Sequence, residues 1–252
     1  MHSRRLRALA SFAPIVALLV SLAGVSGCRG DAASSSDGTS GAKTPPASEG
    51  PSAVVPAAPP GAAPRVVFLG DSLTAGLGLG ESEAFPALVG GLLAQRGIAV
   101  RVVNAGVSGD TSAGGLARVD WVLSLQPDIL VVALGANDGL RGQPVDSIAA
   151  NLREIVRHAR AAGSRVLLAG MKMPPNYGPE YTRDFEALYA RLARELDLPF
   201  LPFLLEGVAT IPELNQPDGI HPTAAGQRKI ADLVVEALLP LLRPGAPARG
   251  PE

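Results

Sequence analysis

The chain has 252 residues, a formal net charge of -1, 47% apolar residues and 4% aromatic residues. The near-neutral charge and the scarcity of aromatic side chains exclude a basic, base-stacking surface, so we expect no nucleic-acid partner. The apolar content is enough for a sizeable core in one or two domains.

The first 28 residues have the pattern of an export signal. Arg4, Arg5 and Arg7 precede an uncharged apolar run from Phe12 to Val25. That run is short for a membrane-spanning helix and typical of a signal peptide. Small residues then precede Cys28, the only cysteine of the chain, in the stretch VSGC, and this stretch resembles a bacterial lipobox.

The lipobox resemblance implies that Cys28 is lipidated and becomes the first residue of a mature protein anchored to a membrane of the bacterial cell envelope, facing the periplasm. Arg29, instead of an inner-membrane retention aspartate, follows the cysteine, which favours the outer membrane. A single cysteine cannot form an internal disulfide. The alternatives are therefore a free thiol after ordinary secretion, or an uncleaved anchor.

Residues 29–64 are nearly all Ala, Ser, Gly, Pro and Thr with a few charges. Such a segment buries too little apolar surface to offset its ordering entropy, so we predict a disordered tether. Residues 243–252 are predicted to be a disordered tail. The remainder, 65–242, has the length of a single domain.

Within that domain, short apolar runs alternate with helical patterns. The runs predict strands at 65–70, 98–104, 128–135, 164–170 and 198–203. Helices are predicted at about 83–96, 111–125, 145–162, 180–196 and 223–242. Because the apolar runs are continuous, we expect an α/β fold in which a parallel sheet of about five strands is covered on both faces. Ligands of such folds bind at the carboxyl ends of the strands.

The loop after the first predicted strand, GDSLTAGLGLG, is not a phosphate-binding loop. A P-loop needs a lysine after its last glycine, and no lysine occurs between Lys43 and Lys172. Gly76, Gly78 and Gly80 are spaced by two, so the dinucleotide pattern G-x-G-x-x-G is absent as well. We interpret these glycines as turn residues, which leaves Ser72 as the chemically interesting residue.

A serine hydroxyl becomes a good nucleophile only when a neighbouring base takes its proton. Of the three histidines, His2 lies in the signal and His158 in a charged helical stretch that predicts a surface position. His221 follows Asp218 by three residues, a spacing at which a turn would let the carboxylate orient the imidazole. The alternative is a simple helix entry, with Asp218 in a turn before the last helix.

Acyl transfer also needs hydrogen-bond donors for the developing oxyanion. Gly109 and Asn137, in the loops after the second and third strands, and the backbone N–H of Ser72 are the candidates. A turn glycine and an Asx turn are the ordinary alternatives. We interpret the aspartates of these loops as bracing or capping residues without a chemical role: Asp71, Asp110 and Asp138.

Four sequence blocks together resemble the SGNH (GDSL) hydrolase family: GDSL, a serine-glycine turn, G-x-N-D and D-x-x-H. The resemblance covers the whole predicted domain and implies a flavodoxin-like, three-layer α/β/α fold. It implies a triad of Ser72, Asp218 and His221, and an oxyanion hole of Ser72, Gly109 and Asn137. No cofactor or metal is expected, because one available histidine and one lipid-bound cysteine make a poor zinc site.

The resemblance is closest to the bacterial arylesterase, lysophospholipase and acyl-CoA thioesterase branch. It implies a monomeric serine hydrolase that cleaves acyl esters, thioesters or lysophospholipids. We expect Leu77, Leu79, Leu140 and the loop 171–181 to line the substrate. One alternative is a carbohydrate esterase that deacetylates envelope polysaccharide, which the few aromatic residues oppose. The other is a non-catalytic envelope binding module, which the intact triad residues oppose.

Overall fold

The computed structural model describes residues 62–243. The predicted signal peptide, Cys28, nearly all of the predicted tether and the tail after Arg243 lie outside the described residues, so those assignments stay predictions. Five strands pair in one parallel sheet: β1 (Arg65–Gly70), β2 (Arg101–Gly106), β3 (Ile129–Ala133), β4 (Arg165–Ala169) and β5 (Phe200–Leu201).

The spatial order of the strands is β2-β1-β3-β4-β5, which is the flavodoxin-like order. All five residues of the central strand β3 are buried, as are residues 66–70 of β1. Burial of consecutive residues means that both faces of these strands are covered, which explains their continuous apolar sequence. The predicted fold class is confirmed.

Helices cover the two faces of the sheet. They are α1 (Ser72–Ala75), α2 (Phe85–Gln95), α3 (Ser112–Ala117), α4 (Val119–Ser124), α5 (Ala136–Leu140), α6 (Val145–Ala161), α7 (Pro179–Glu195) and α8 (Ala224–Leu242). One layer is formed by α2 packed against α8, and the other by α6 packed against α3, α4 and α7. Short 3-10 turns occur at 81–83, 175–177 and 212–214. None of the helices within 62–243 combines the length and the apolarity that crossing a bilayer requires.

The main differences between the predicted and the observed elements concern three of them. The second strand begins at Arg101 rather than at residue 98, and the last strand contains only Phe200–Leu201. The helix predicted at 111–125 is broken at Arg118 into α3 and α4. The short helices α1 and α5 were not predicted, and both follow directly on strands that lead into the site.

The strand order creates a crevice between the loops that follow β1 and β3. The chain leaves β1 for β2 on one side and then crosses to β3 on the other. At this switch point the two connections diverge above the carboxyl edge of the sheet, where open α/β folds bind their ligands. Ser72 follows β1 and Asn137 follows β3, so both lie at this point.

Candidate active site

Ser72 is the first residue of α1, at the carboxyl end of β1. The side chain of Asp71 caps this helix by accepting a hydrogen bond from the backbone N–H of Leu73 at 3.0 Å. On the other side, α1 packs closely on β2, because a Cβ atom at Gly106 would lie 2.8 Å from the backbone carbon of Thr74. Ser72 is therefore held on a short, rigid turn and is 9% exposed.

Ser72, His221 and Asp218 form a continuous chain of hydrogen bonds. The distance from Ser72 Oγ to His221 Nε2 is 2.9 Å, and that from His221 Nδ1 to Asp218 Oδ2 is 2.7 Å. Since a carboxylate can only accept, Nδ1 carries the hydrogen and Nε2 is left to accept from the Ser72 hydroxyl. The structure thus brings together two residues that are 149 positions apart in the chain.

Asp218 is held in its ionised form by three hydrogen bonds from one turn. Its carboxylate accepts from the backbone N–H of His221 at 2.9 Å, from the His221 imidazole at 2.7 Å and from the backbone N–H of Ile220 at 2.8 Å. These bonds lower the pKa of Asp218 to about 2, the His221 backbone having the largest effect. The helix-entry alternative also holds in part, because Thr223 caps α8 two residues after His221.

Gln216 joins the loop of His221 to the loop of Ser72, a role that the sequence analysis missed. Its backbone N–H donates to the carbonyl of His221 at 2.7 Å. Its Nε2 donates to the carbonyl of Leu77 at 2.7 Å and to that of Pro222 at 3.0 Å. The D-x-x-H block begins only at Asp218, so no motif indicated Gln216.

Gly109 and Asn137 lie on neighbouring loops above the sheet. Gly109 is exposed and has a φ of 80°, in the left-handed region that favours glycine. Its carbonyl accepts from Nη2 of Arg141 at 3.0 Å. The amide Nδ2 of half-buried Asn137 donates to the carbonyl of Asp110 at 2.9 Å and to Oδ2 of Asp71 at 3.3 Å.

The aspartates of these loops make bracing contacts. Asp110 accepts from Nε of Arg118 at 2.8 Å, and Nη2 of Arg118 donates to the carbonyl of Gly70 at 3.1 Å. The carboxylate of Asp138 accepts from the backbone N–H of Ser112 at 2.7 Å and from its hydroxyl at 2.6 Å. These contacts tie the loops after β1, β2 and β3 to one another, so the predicted bracing is observed.

The remaining predicted residues divide between the surface and the core. Leu77 and Leu140 are exposed, as are Val107 and Ile220, which were not predicted to line the substrate; each of the four lies on a segment that carries a predicted site residue. Leu79 is half-buried. In the loop 171–181, Met171 and Met173 are buried in the hydrophobic core, which removes them from the expected substrate face. The hydroxyls of Tyr177 and Tyr181 donate to the carbonyls of Leu140 and Gln143.

His158 lies on α6 and contacts Asp120, with Nδ1 to Oδ1 at 3.1 Å. His2 lies outside the described residues. Within 62–243, no group of three or more His, Cys, Asp or Glu side chains is arranged to hold a metal ion.

Comparison with known proteins matches residues 68–229 to the GDSL-like Lipase/Acylhydrolase family. The chain is 44% identical over 182 residues to the esterase TesA of Pseudomonas aeruginosa, covering 72% of this chain and 90% of that protein. It is 43% identical over 182 residues to thioesterase 1/protease 1/lysophospholipase L1 of Escherichia coli, covering 72% and 86%. The crystal structure of TesA matches this structure with a TM-score of 0.68 at 44% identity, covering 70% of this chain and 99% of that one.

Proposed function

The chain belongs to the GDSL-like lipase/acylhydrolase family and is a carboxylic ester hydrolase, and we propose that Ser72 is its nucleophile, His221 its general base and Asp218 the residue that orients His221. The substrates are esters or thioesters of acyl chains. The observation that carries this assignment is the chain of hydrogen bonds from Ser72 Oγ to His221 Nε2 at 2.9 Å and from Nδ1 to Asp218 Oδ2 at 2.7 Å.

In the first half of the reaction, the Ser72 hydroxyl gives its proton to Nε2 of His221 while Oγ attacks the carbonyl carbon of the substrate. The carbonyl π electrons move to the oxygen, which becomes an oxyanion. Asp218 stabilises the imidazolium that forms, because its low pKa keeps it ionised and able to accept from Nδ1.

The oxyanion is stabilised by the backbone N–H groups of Ser72 and Gly109 and by the amide of Asn137. Ser72 starts α1, and the N–H groups of a first helical turn have no acceptor within the helix. Gly109 places no side chain between its backbone and the substrate. Loss of one such donor typically costs about 10²–10³ in kcat.

The first half ends when the tetrahedral intermediate collapses and the bond to the leaving oxygen or sulfur breaks. The leaving atom takes the proton from Nε2 of His221, and the acyl group stays on Ser72 as an ester. A water molecule then attacks this ester while His221 removes its proton. Collapse of the second intermediate releases the carboxylic acid and returns the proton to Ser72.

The surroundings of the site favour acyl chains as the substrate. Four of the large apolar side chains that are exposed within 62–243 lie on the segments that carry the proposed site residues: Leu77, Val107, Leu140 and Ile220. Exposed apolar side chains that cluster at a functional edge typically mark a binding surface. An acyl chain that covered them would stabilise the complex by about 25 cal/mol for each Å² of apolar surface removed from water.

A fluorophosphonate probe tests the nucleophile. We expect the wild type to be labelled, since the activated serine displaces fluoride from phosphorus, and Ser72→Ala to be unlabelled and to lose nearly all esterase activity. Ser108→Ala, which removes an exposed serine from a neighbouring loop, is the matched control and should label normally. Labelling that persists in Ser72→Ala would contradict the proposal.

A substrate panel tests the acyl specificity. Nitrophenyl esters of short and long acyl chains should be hydrolysed, and acetylated xylan and acetylated peptidoglycan should not. Preferential release of acetate from the polysaccharides would favour the carbohydrate-esterase alternative.

We further propose that the enzyme is a monomer anchored by lipidated Cys28 in the cell envelope, in the outer membrane and facing the periplasm. The support for the anchor is the sequence alone: the basic residues, the apolar run and the stretch VSGC, followed by Arg29. Mass spectrometry of the mature N-terminus should find a lipid-modified Cys28, and Cys28→Ser should be released from the membrane fraction. An unmodified cysteine would rule out the anchor.

A further inference from the structure

Asp71 is a carboxylate that the proposed mechanism does not use, and only 1% of its surface is exposed. Its two oxygens have different partners. Oδ1 accepts from the backbone N–H of Leu73 at 3.0 Å, and Oδ2 accepts from Nδ2 of Asn137 at 3.3 Å. The first contact caps α1, whereas the second connects the loop after β1 with the loop after β3.

Capping alone does not account for a carboxylate at this position. Serine and asparagine cap helices about as well as aspartate, and they do not bring an ionisable group into the interior. Burial raises the pKa of Asp71 to about 6 by desolvation, although the hydrogen bond from Leu73 opposes this. An ionised Asp71 therefore destabilises the fold, and that cost points to a role for the second oxygen.

The second oxygen contacts a side chain whose orientation matters for the reaction. Asn137 can donate to an oxyanion only through Nδ2, and rotation of the amide by half a turn would exchange Nδ2 with Oδ1. Both neighbours of Nδ2 are acceptors, namely the carbonyl of Asp110 at 2.9 Å and the carboxylate of Asp71 at 3.3 Å. A rotated amide would place its own oxygen against these acceptors.

The two contacts of Nδ2 differ in strength. The bond to the Asp110 carbonyl has an ordinary length, while the 3.3 Å contact to Asp71 is longer than is usual for an N–H to oxygen bond. The longer contact is the one from which a hydrogen can be withdrawn at lower cost. An oxyanion that develops near Asn137 can therefore compete with Asp71 for this hydrogen while Asp110 still holds the amide.

We infer that Asp71 is a positioning residue for the reaction. It holds the Asn137 amide with the nitrogen in place in the free enzyme, and it yields one N–H to the oxyanion as negative charge develops there. This inference rests on the proposed function, since it assumes that Asn137 stabilises the oxyanion of an acyl transfer at Ser72.

Two titratable groups act on Asp71 from other elements. His221, in the loop before α8, favours the ionised carboxylate, and Asp110, in the loop after β2, opposes it. When the reaction protonates His221, the new positive charge stabilises Asp71 as an acceptor. The imidazolium thus lowers the cost of leaving the Asp71 carboxylate without this hydrogen bond at the stage when the N–H of Asn137 turns to the oxyanion.

Asp71→Asn is the sharpest test, because it preserves the shape of the side chain and the cap. If the oxygen of the introduced amide faces Leu73, its NH₂ group opposes the NH₂ group of Asn137, donor against donor. We expect kcat of the full-length D71N protein for a nitrophenyl ester to fall by roughly 10- to 100-fold, less than complete loss of a donor would cost. KM should change less than about twofold, since the interaction concerns the transition state.

A double-mutant cycle with Asn137→Ala separates positioning from other roles of Asp71. If Asp71 acts through Asn137, the D71N change should lower kcat less than about threefold in the N137A background. Equal losses in both backgrounds would overturn the inference, as would an unchanged kcat in the single D71N variant. If D71N does not fold, as judged by circular dichroism, D71S keeps a capping oxygen and takes its place in the cycle.

Failure of the proposed function would give a different result. In that case Ser72→Ala would keep activity and fluorophosphonate labelling, whatever the D71N cycle showed. If instead Ser72→Ala is inactive, and the losses of kcat in D71N and N137A multiply in the double variant, the assignment of Ser72 as the nucleophile is supported and only the role of Asp71 is refuted.

Discussion

Asp71→Asn should change the pH dependence of stability in a way that can be worked out from the structure. Burial raises the pKa of Asp71 in the folded protein from 3.8 to about 6. Between these two values the unfolded chain has lost the proton and the folded chain has kept it, so unfolding releases a proton. The stability of the wild type therefore falls as pH rises through this window, whereas D71N has no group to ionise there.

The magnitude follows from the shift of the pKa. A shift from 3.8 to about 6 corresponds to about 3 kcal/mol at about 1.36 kcal/mol per pKa unit. The free energy of unfolding of D71N minus that of the wild type should therefore increase by about 3 kcal/mol between about pH 4 and pH 7. Below and above this window the difference should be constant, because Asp71 has the same ionisation state in the folded and unfolded chains.

Urea denaturation followed by circular dichroism at several pH values between about 3.5 and 7.5 measures this difference. Other titrating groups contribute to both proteins and cancel in the subtraction. Ser72→Ala, which removes a hydroxyl but no carboxylate, is the matched control and should show the pH dependence of the wild type. Parallel curves for D71N and the wild type would refute the reasoning, since they would mean that the Asp71 carboxylate is not desolvated by folding.

Two further predictions concern the proposed orienting residue Asp218 and the support of the proposed nucleophile. Asp218→Asn should lower kcat/KM for a nitrophenyl ester by about 10⁴, because an amide no longer selects the His221 tautomer that accepts from serine; a loss below tenfold would contradict the triad. Gly106→Ala should lower the free energy of unfolding by about 1–3 kcal/mol, as overpacking does, because the new Cβ would lie 2.8 Å from the backbone carbon of Thr74. Urea denaturation measures this loss, and an unchanged midpoint would show that α1 can move away from β2.

The succession of strands and long helices along the chain was predictable from the sequence, because each of these elements depends on a local pattern. The apolar run 65–70 is β1 with the same bounds, and the amphipathic pattern at 145–162 is α6, Val145–Ala161. Burial on both faces requires continuous apolar residues in a strand, and burial on one face requires a period of 3.6 in a helix. These requirements hold whatever the neighbouring elements are.

The predicted start of β2 was wrong because Ile98 belongs to the end of the preceding helix. Gly97 adopts a φ of 74°, and the backbone N–H of Ile98 donates back to the carbonyl of Leu93 at 2.9 Å. This is the hydrogen bonding of a helix terminus, in which an apolar residue after the glycine packs back on the helix. The strand begins only at Arg101, where the backbone N–H donates to the carbonyl of Pro64.

The break between α3 and α4 was missed for a non-local reason. Arg118 has φ and ψ of -112° and 9°, outside the helical region, and its side chain bonds Asp110 and the carbonyl of Gly70. The helical pattern at 111–125 continues through this residue in the sequence. Only the position of the β1 loop, 48 residues earlier in the chain, determines where Arg118 finds its partners.

The order of residues along the chain was enough to identify the available chemical groups: a serine, a D-x-x-H pair, a turn glycine and an asparagine, each at the end of a predicted strand or in a turn. The folded domain was needed to establish that Ser72 and His221 meet at 2.9 Å and that Asp71 contacts Asn137. Local patterns specify elements because burial of a strand or a helix face depends on neighbouring residues. Contacts between loops depend on strand order and packing, which arise from many weak interactions across the whole domain.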